Sequence, residues 1–235
     1  MLSEACGQKQ ASLKFKEQNT MKKILFIGNS YTFFNDMPDL FKALAKENGH
    51  EAEVISVTKG GRFLWQNIDL DDEFSHSVAK AFEDEYDVAI LQDQSLVAVD
   101  SPENFFRGIK SHFDRLKSKR VLLYATWGRK AGSDKLTERN ITSMEMYEKL
   151  DCEYTRVADA LGAELSNVGK AFKHVYTNFP EIDVYKPDLS HPSYLGSCLA
   201  ARVHYKTVYG EPPKTVGSLN LDEKTEKTFF DAISK

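Results

Sequence analysis

A serine at the end of an apolar run is the first residue in this chain that is placed for chemistry. Residues 24–27 are uninterrupted apolar side chains, as in a strand buried on both faces, and Gly28 and Asn29 end the run before Ser30. In open α/β sheets, ligands bind at the carboxyl ends of the strands. Ser30 can act as a nucleophile there if other parts of the chain supply a base and a carboxylate.

Asp188 and His191 offer that base and carboxylate in one short segment. They are three residues apart, just before a predicted helix. A turn at this spacing can bring the carboxylate to one ring nitrogen while the other nitrogen points outward. The other five histidines have no such neighbour, and we expect them to be solvated or satisfied by hydrogen bonds.

Two further loops can supply the donors that a developing oxyanion needs. Gly60 and Gly61 follow the second predicted strand, and Gln92-Asp93-Gln94 follows the third. Right-handed crossovers place the loops after parallel strands on one edge of the sheet. We therefore expect these loops to lie beside Ser30, with the segment that holds His191.

The elements that must position these residues can be read from the hydrophobic pattern. Strand-like and helix-like segments alternate five times, which predicts an α/β fold with helices on both faces of a parallel sheet, a three-layer α/β/α sandwich. The last long helix is predicted to open at His191-Pro192 and to end at Gly210. The predicted strands are residues 22–27, 51–57, 88–91, 121–126 and 163–168.

Length and composition are those of an ordinary globular protein. The chain has 235 residues, 41% hydrophobic and 28% charged, with a formal net charge of -4 and no basic block. These values give no basis for nucleic-acid binding or for a polybasic membrane patch. No apolar run approaches the ~20 residues of a membrane span. We expect a flexible extension over residues 1–20 and a single domain over residues 21–235.

The three cysteines are odd in number and form no C-x-x-C pair. A disulfide framework is therefore not expected, and Cys198, in an apolar helical stretch, is predicted to be a core residue. Residues 1–20 lack the apolar segment of a signal peptide, so we expect a cytoplasmic protein, unless a secretory signal precedes the sequence given. No spacing typical of metal ligands or of phosphate-binding loops is present, so we expect no metal and no cofactor.

Taken together, these features resemble the SGNH (GDSL-type) esterases and lipases across most of residues 22–209. The shared features are the Gly28-Asn29-Ser30 block, the glycine loop, the polar end of strand three and Asp188-x-x-His191. The resemblance implies a flavodoxin-like five-stranded fold and a Ser–His–Asp site without the G-x-S-x-G elbow. It also implies that Ser30 is the nucleophile, His191 the general base and Asp188 its orienting carboxylate.

The same resemblance suggests the oxyanion hole. The backbone N–H groups of Ser30 and of Gly61, or Gly60, would be two donors. The family's third block commonly reads Gly-x-Asn-Asp, and its asparagine side chain donates the third hydrogen bond. Here Gln94 takes the asparagine position, and Gln92, on the same face, is the rival. This block is similar to that of a bacterial branch of unassigned function and to that of the sialate- and sugar-acetylesterase branch.

The expected substrate is a small acyl ester. Tyr31 and Trp127 belong to a group of aromatic residues near the predicted active edge and could line an acyl or sugar pocket. Since no wide apolar groove is predicted, a short acyl group such as acetyl, on a sugar or another small polar alcohol, is favoured. The alternative is a non-catalytic carbohydrate-binding protein that retains the fold. The sequence does not predict an oligomeric state.

Overall fold

The apolar segments of the sequence form the strands of one sheet. The computed structural model describes residues 21–234. All strand pairs are parallel, and the order across the sheet is second, first, third, fourth, fifth. The strands are β1 (Lys22–Gly28), β2 (Ala52–Thr58), β3 (Glu85–Leu91), β4 (Lys117–Tyr124) and β5 (Glu164–Ser166).

Helices cover both faces of this sheet. Their buried side chains form two hydrophobic clusters, one on each side of the strands. The predicted three-layer α/β/α sandwich with a five-stranded parallel sheet is therefore confirmed. The helices are α1 (Ser30–Phe33), α2 (Met37–Glu47), α3 (Gln66–Asp69), α4 (Glu73–Ala81), α5 (Val97–Asp100), α6 (Pro102–Arg115), α7 (Asp134–Thr137), α8 (Ser143–Leu161), α9 (Val168–Asn178), α10 (Tyr194–Tyr209) and α11 (Glu223–Ser234).

Strand β1 lies in the middle of the sheet and supplies both clusters. Ile24 and Phe26 join the cluster that contains α2, α9 and α10, whereas Leu25 and Ile27 join the cluster that contains α6 and α8. All four side chains are at most 1% exposed. This two-sided burial explains why the strand reads as a continuous apolar run.

The strand order places Ser30 at the point in the sheet where the direction of strand addition reverses. From β1 the chain moves outward to β2 on one side and then returns to β3 on the other. In doubly wound folds, the loops that leave the two strands at such a point separate and form a crevice. Ser30 follows β1 and Gln94 follows β3, so both side chains lie at this crevice.

Several element boundaries differ from the prediction by a few residues, among them the starts of α10, β3 and β4. Helix α10 begins at Tyr194 rather than at His191, because the Ser193 hydroxyl accepts the backbone N–H of Gly196 at 3.1 Å and caps the helix. His191 therefore lies in the loop before the helix. Strand β4 begins at Lys117, earlier than predicted, since its first half is polar and partly exposed.

Some expectations fall on residues that the structure does not describe. Residues 1–20, including Cys6, and Lys235 lie outside the described residues. Within residues 21–234, Cys152 and Cys198 are both free, and Cys198 is buried as predicted. In the same part of the chain, no helix has the combined length and hydropathy that crossing a bilayer requires.

Candidate active site

Ser30 is the first residue of α1, directly after β1. Asn29 caps this helix, and its side-chain oxygen accepts the N–H of Tyr31 at 3.1 Å. Within residues 21–234 the N–H of Ser30 has no hydrogen-bond partner, as expected at the first position of a helix. The Ser30 Oγ lies 2.9 Å from Nε2 of His191. The turn therefore presents the hydroxyl of Ser30 to His191 and leaves the backbone N–H of the same residue free.

Asp188 holds the other nitrogen of the imidazole. Its Oδ2 lies 2.7 Å from Nδ1 of His191, and its Oδ1 accepts the backbone N–H groups of Ser190 and His191 at 2.9 and 2.8 Å. Leu189 takes a left-handed conformation, with φ of 61°, and so closes this turn. A carboxylate in this position favours the tautomer with hydrogen on Nδ1, which leaves Nε2 to accept the Ser30 proton.

The surroundings of Asp188 favour its ionised form. Partial burial acts to raise its pKa. The backbone N–H and imidazole of His191, together with the N–H of Ser190, outweigh that effect and lower the pKa of Asp188 below its ordinary value. The carboxylate is thus available at neutral pH to orient the ring and to stabilise it when it becomes protonated.

Trp127 supports the turn between Asp188 and His191 from inside the protein. Its indole N–H donates to the carbonyl of Ser190 at 3.0 Å, and its ring stacks between Tyr31 and Phe172 at centroid distances of 4.5 and 3.9 Å. Trp127 is fully buried. The prediction that it contacts substrate is therefore corrected, because its ring fills the core behind the turn and does not reach the cleft.

Tyr31 contributes a wall to the cleft and a hydrogen bond to the same turn. Its ring is 5% exposed, and its hydroxyl lies 2.7 Å from Oγ of Ser190. It lines the cleft with Ser30 and His191. The predicted position of Tyr31 beside the substrate is thus compatible with the structure, although most of its ring packs on Trp127.

The glycine loop after β2 faces the cleft. Gly61 has φ of +69°, and its backbone N–H makes no hydrogen bond within the described part of the chain. The side-chain amide of Asn29 donates to the carbonyl of Arg62 at 3.0 Å and so ties this loop to the turn at Ser30. The buried Arg62 guanidinium is bound to Asp72 and Ser75. These contacts fix the loop without using the N–H of Gly61.

The two candidate glutamines at the end of β3 have different surroundings. Gln92 is 1% exposed, and its Oε1 accepts the N–H of Asn29 at 2.8 Å and the hydroxyl of Thr32 at 2.9 Å. Its amide N–H₂ donates to the carbonyl of Asp93. Gln92 is thus engaged inside the protein and does not line the cleft.

Gln94 lines the cleft directly. Its Oε1 accepts the N–H of Leu96 at 2.5 Å, which anchors the amide, while its Nε2 has no hydrogen-bond partner among the described residues. Of the two glutamines, Gln94 is therefore the one whose amide N–H₂ is available to a ligand. The position of each glutamine along β3 did not distinguish Gln92 from Gln94, because it does not indicate which amide already has hydrogen-bond partners.

Asp93 lies between the two glutamines and is completely buried. Its Oδ1 accepts the N–H of Leu64 at 2.9 Å and of Gln94 at 2.7 Å, so it joins the end of β3 to the segment after the glycine loop. Its Oδ2 has no partner among the described residues. Burial raises the pKa of Asp93 to about 7. This role could not be predicted from the sequence, because the hydrophobic pattern does not indicate that an acidic residue is buried.

A cleft of about 320 Å³ connects these groups. Gln92, Trp127 and Gly60, the alternative to Gly61, are absent from its walls, whereas the other predicted site residues are present. Arg129, in the loop after β4, also lines the cleft. This residue was not predicted from the sequence, although its position after a strand end could have indicated it. The lining residues are Asn29, Ser30, Tyr31, Gly61, Gln94, Ser95, Arg129, Asp188, Ser190 and His191.

A second serine–histidine contact lies in the core. Ser166 Oγ is 2.7 Å from Nδ1 of His204, and both residues are completely buried. Burial lowers the pKa of His204 to about 3 and that of His112, on α6, to about 4. These imidazoles are therefore neutral at ordinary pH, and substrate has no access to them.

The cleft brings together the groups that acyl transfer requires. A hydroxyl, an imidazole and a carboxylate are joined by hydrogen bonds in that order, and unpaired N–H groups lie around the hydroxyl. Within residues 21–234, no group of three or more histidine, cysteine or acidic side chains is arranged to hold a metal ion.

Solved structures share this architecture. A candidate SGNH hydrolase from Slackia heliotrinireducens is 27% identical, with a TM-score of 0.71 over 80% of this chain and 99% of that chain. A DUF4886 family protein from Bacteroides uniformis is 16% identical, with a TM-score of 0.74 over 91% and 93% of the two chains. An acetylxylan esterase from Geobacillus stearothermophilus is 13% identical, with a TM-score of 0.52 over 86% and 95%. No family model matches the sequence, and a search of curated proteins finds no match.

Proposed function

Because the structural comparisons assign this chain to the SGNH (GDSL-type) hydrolase superfamily, we propose that it is a serine esterase that removes a short acyl group, such as acetyl, from a carbohydrate or another small polar alcohol. The observation that carries the proposal is the hydrogen-bonded chain from Ser30 through His191 to Asp188. Each member occupies the position that its chemistry requires.

The proposed reaction has two halves. Nε2 of His191 takes the proton of Ser30 as Oγ attacks the ester carbonyl, and Asp188 stabilises the resulting imidazolium. The tetrahedral intermediate collapses, the C–O bond to the alcohol breaks, and His191 returns the proton to the leaving oxygen. Water then attacks the acyl-enzyme with the same general base, which releases the carboxylic acid and restores Ser30.

The developing oxyanion would be held by three donors. The backbone N–H groups of Ser30 and Gly61 and the amide of Gln94 all border the cleft, and none of these three N–H groups is used in another hydrogen bond among the described residues. Unused donors that are already positioned stabilise a transition state without the cost of reorganising them.

The cleft favours a small polar substrate. It has a volume of about 320 Å³, and most of its lining side chains are polar, which suits an acetylated alcohol better than a long acyl chain. The acetylxylan esterase among the structural neighbours is consistent with this choice of acyl group.

The test is hydrolysis of p-nitrophenyl acetate by the full chain and its variants. Ser30→Ala and His191→Ala should each lower kcat by about 10⁴–10⁶, since nucleophile and base act as a unit. Exposed residues of the same types on α4, in Ser77→Ala and His76→Ala, are matched controls and should retain activity. Activity of normal size in Ser30→Ala would contradict the mechanism.

Two accompanying measurements define the function. The acetate ester should be cleaved faster than the palmitate ester, and the reverse order would contradict the short-acyl assignment. A fluorophosphonate probe should label Ser30 and leave Ser30→Ala unlabelled. Sugar binding without labelling or turnover would instead identify a non-catalytic carbohydrate-binding protein.

A further inference from the structure

Arg129 gives the cleft a positive charge. The loop after β4 presents this half-buried side chain beside Ser30 and His191. The acid in the cleft wall, Asp188, is already bound to the imidazole and two backbone N–H groups. Among the residues that line the cleft, no other acid is present to pair with the guanidinium.

The guanidinium of Arg129 also lacks a hydrogen-bond or ion-pair partner among the described residues. Its Nε is buried without a hydrogen bond, and no ion pair to it is formed within residues 21–234. Most other arginines of the chain are paired with a carboxylate. These pairs are Arg62 with Asp72, Arg107 with Asp69, Arg120 with Glu164, Arg139 with Asp100 and Arg156 with Glu153.

The backbone at Arg129 is held firmly. Its N–H donates to the sulfur of Met146 at 3.3 Å, and its carbonyl accepts the hydroxyl of Ser143 at 2.6 Å, both on α8. Gly128 packs so closely on α8 that an added Cβ would lie 2.8 Å from the ring of Tyr147. The side chain is thus displayed from a fixed base, which favours a recognition role over a mobile surface charge.

We propose that Arg129 binds an anionic oxygen group of the substrate, and that the esterase acts on acyl esters of alcohols that carry a carboxylate. The inference rests on the proposed function, because an acetyl group has no charge and the anion must then belong to the alcohol. A guanidinium offers two parallel N–H groups to a carboxylate, and in a half-buried cleft this pair is stronger than at an open surface.

Matched esters test this specificity. The probes are 3- and 4-acetoxybenzoate, each compared with the neutral acetoxybenzamide of the same substitution. The wild-type protein should prefer at least one carboxylate probe by about 10–100-fold in kcat/KM, the range expected for a charge-assisted hydrogen-bonded pair. Arg129→Gln should bring the ratio of the two values close to one, and Arg129→Lys should keep part of it.

Arg115→Gln is the control, since Arg115 is an exposed arginine that stacks on Phe82 away from the cleft. It should retain the wild-type ratio. Equal kcat/KM for carboxylate and amide probes in the wild-type protein would overturn the role of Arg129 while leaving the esterase proposal intact.

Direct binding separates the two proposals if no probe is hydrolysed. Ser30→Ala protein is titrated calorimetrically with 3- and 4-hydroxybenzoate and with the matching hydroxybenzamides. Tighter binding of a carboxylate, lost in the Ser30→Ala/Arg129→Gln double variant, would support the anion site even without turnover. Absence of any carboxylate preference in this titration would overturn it.

Discussion

Gln92 and Gln94 are chemically identical but are used differently at the end of β3. The side-chain amide of Gln92 forms hydrogen bonds within the protein, including two to the turn that holds Ser30. The N–H₂ of Gln94 has no partner among the described residues and lies at the cleft. The two glutamines are only two residues apart, and their roles differ because their side chains have different hydrogen-bond partners. The difference leads to opposite expectations for the two alanine variants.

Gln94→Ala should lower kcat/KM for p-nitrophenyl acetate by about 10²–10³, as expected for the loss of one oxyanion donor. Its effect on stability should be smaller than that of Gln92→Ala, because only the part-buried N–H of Leu96 loses its acceptor. Gln92→Ala should instead lower the free energy of unfolding by about 1–3 kcal/mol, because the N–H of Asn29 and the hydroxyl of Thr32 lose a buried acceptor. Kinetics and urea denaturation of both variants check this. An activity loss confined to the Gln92 variant would reverse the assignment.

At this scale, the contacts that could be predicted from the sequence are those made within a short turn or at one sheet edge. Asp188 and His191 could be paired because a turn of three residues joins them, and their contact with Ser30 followed from the predicted sheet edge. The positions of the Trp127 and Arg129 side chains were not predicted. Both follow the same strand end, and the pattern does not report which side chain turns into the core and which into the cleft.

At the scale of the element, the turn from β1 into α1 depends on the absence of a side chain at Gly28. A Cβ there would lie 2.4 Å from Oγ1 of Thr32 and 2.6 Å from Oε1 of Gln92. Those two atoms form the hydrogen bond that closes the turn beneath Ser30. The glycine of the first block is therefore required by close packing and not by its backbone angle.

Gly28→Ala should lower the free energy of unfolding by about 1–3 kcal/mol through overpacking, and should reduce activity because the turn shifts Ser30. Gly60→Ala is a stability control, since an added Cβ there meets only the ring of Phe33 at the ordinary distance of 3.8 Å. Urea denaturation of both variants measures the difference. A Gly28→Ala protein as stable as the Gly60→Ala protein would contradict this account.

The periodic elements were predictable because one face or both faces of each are buried. Strand β1 reads as a continuous apolar run, and α8 ends where Gly162 takes a left-handed conformation, with φ of 65°. The predicted start of α10 was wrong because Pro192 suits a first helical turn, whereas Ser193, the next residue, is the actual N-cap. Caps compete locally, and the sequence does not show which one the tertiary structure selects.

At the scale of the whole molecule, three buried titratable groups contribute to the variation of stability with pH near pH 5. Burial raises the pKa of Asp93 to about 7 and lowers those of His112 and His204 to about 4 and about 3. Near pH 5 the folded protein therefore carries a protonated Asp93 and two neutral imidazoles. In the unfolded chain all three groups take the opposite state, since ordinary pKa values are about 3.9 for aspartate and about 6.5 for histidine.

Near pH 5 the unfolded state thus binds two histidine protons that the folded state lacks, and the folded state binds one proton on Asp93 that the unfolded state lacks. The net difference of one proton should make the free energy of unfolding rise by about 1.4 kcal/mol per pH unit. Asp93→Asn removes the carboxyl group whose proton, bound only in the folded state, offsets one of the two histidine protons. The slope should therefore double to about 2.8 kcal/mol per pH unit. Urea denaturation between pH 4.8 and 5.5 gives both slopes, and equal slopes would contradict the burial of a protonated Asp93.

The position of Trp127 makes the protein its own optical probe. The sequence contains two tryptophans, and Trp65→Phe would leave one indole, bound to the carbonyl of Ser190 and stacked on Tyr31. Tyr31 forms part of the cleft wall, so a single aromatic layer separates this fluorophore from a bound ligand. Its emission spectrum and lifetime therefore report the closure of the Asp188–His191 turn in the absence of any substrate. Tryptophan fluorescence can therefore follow the assembly of the candidate site during refolding without a substrate or an activity assay.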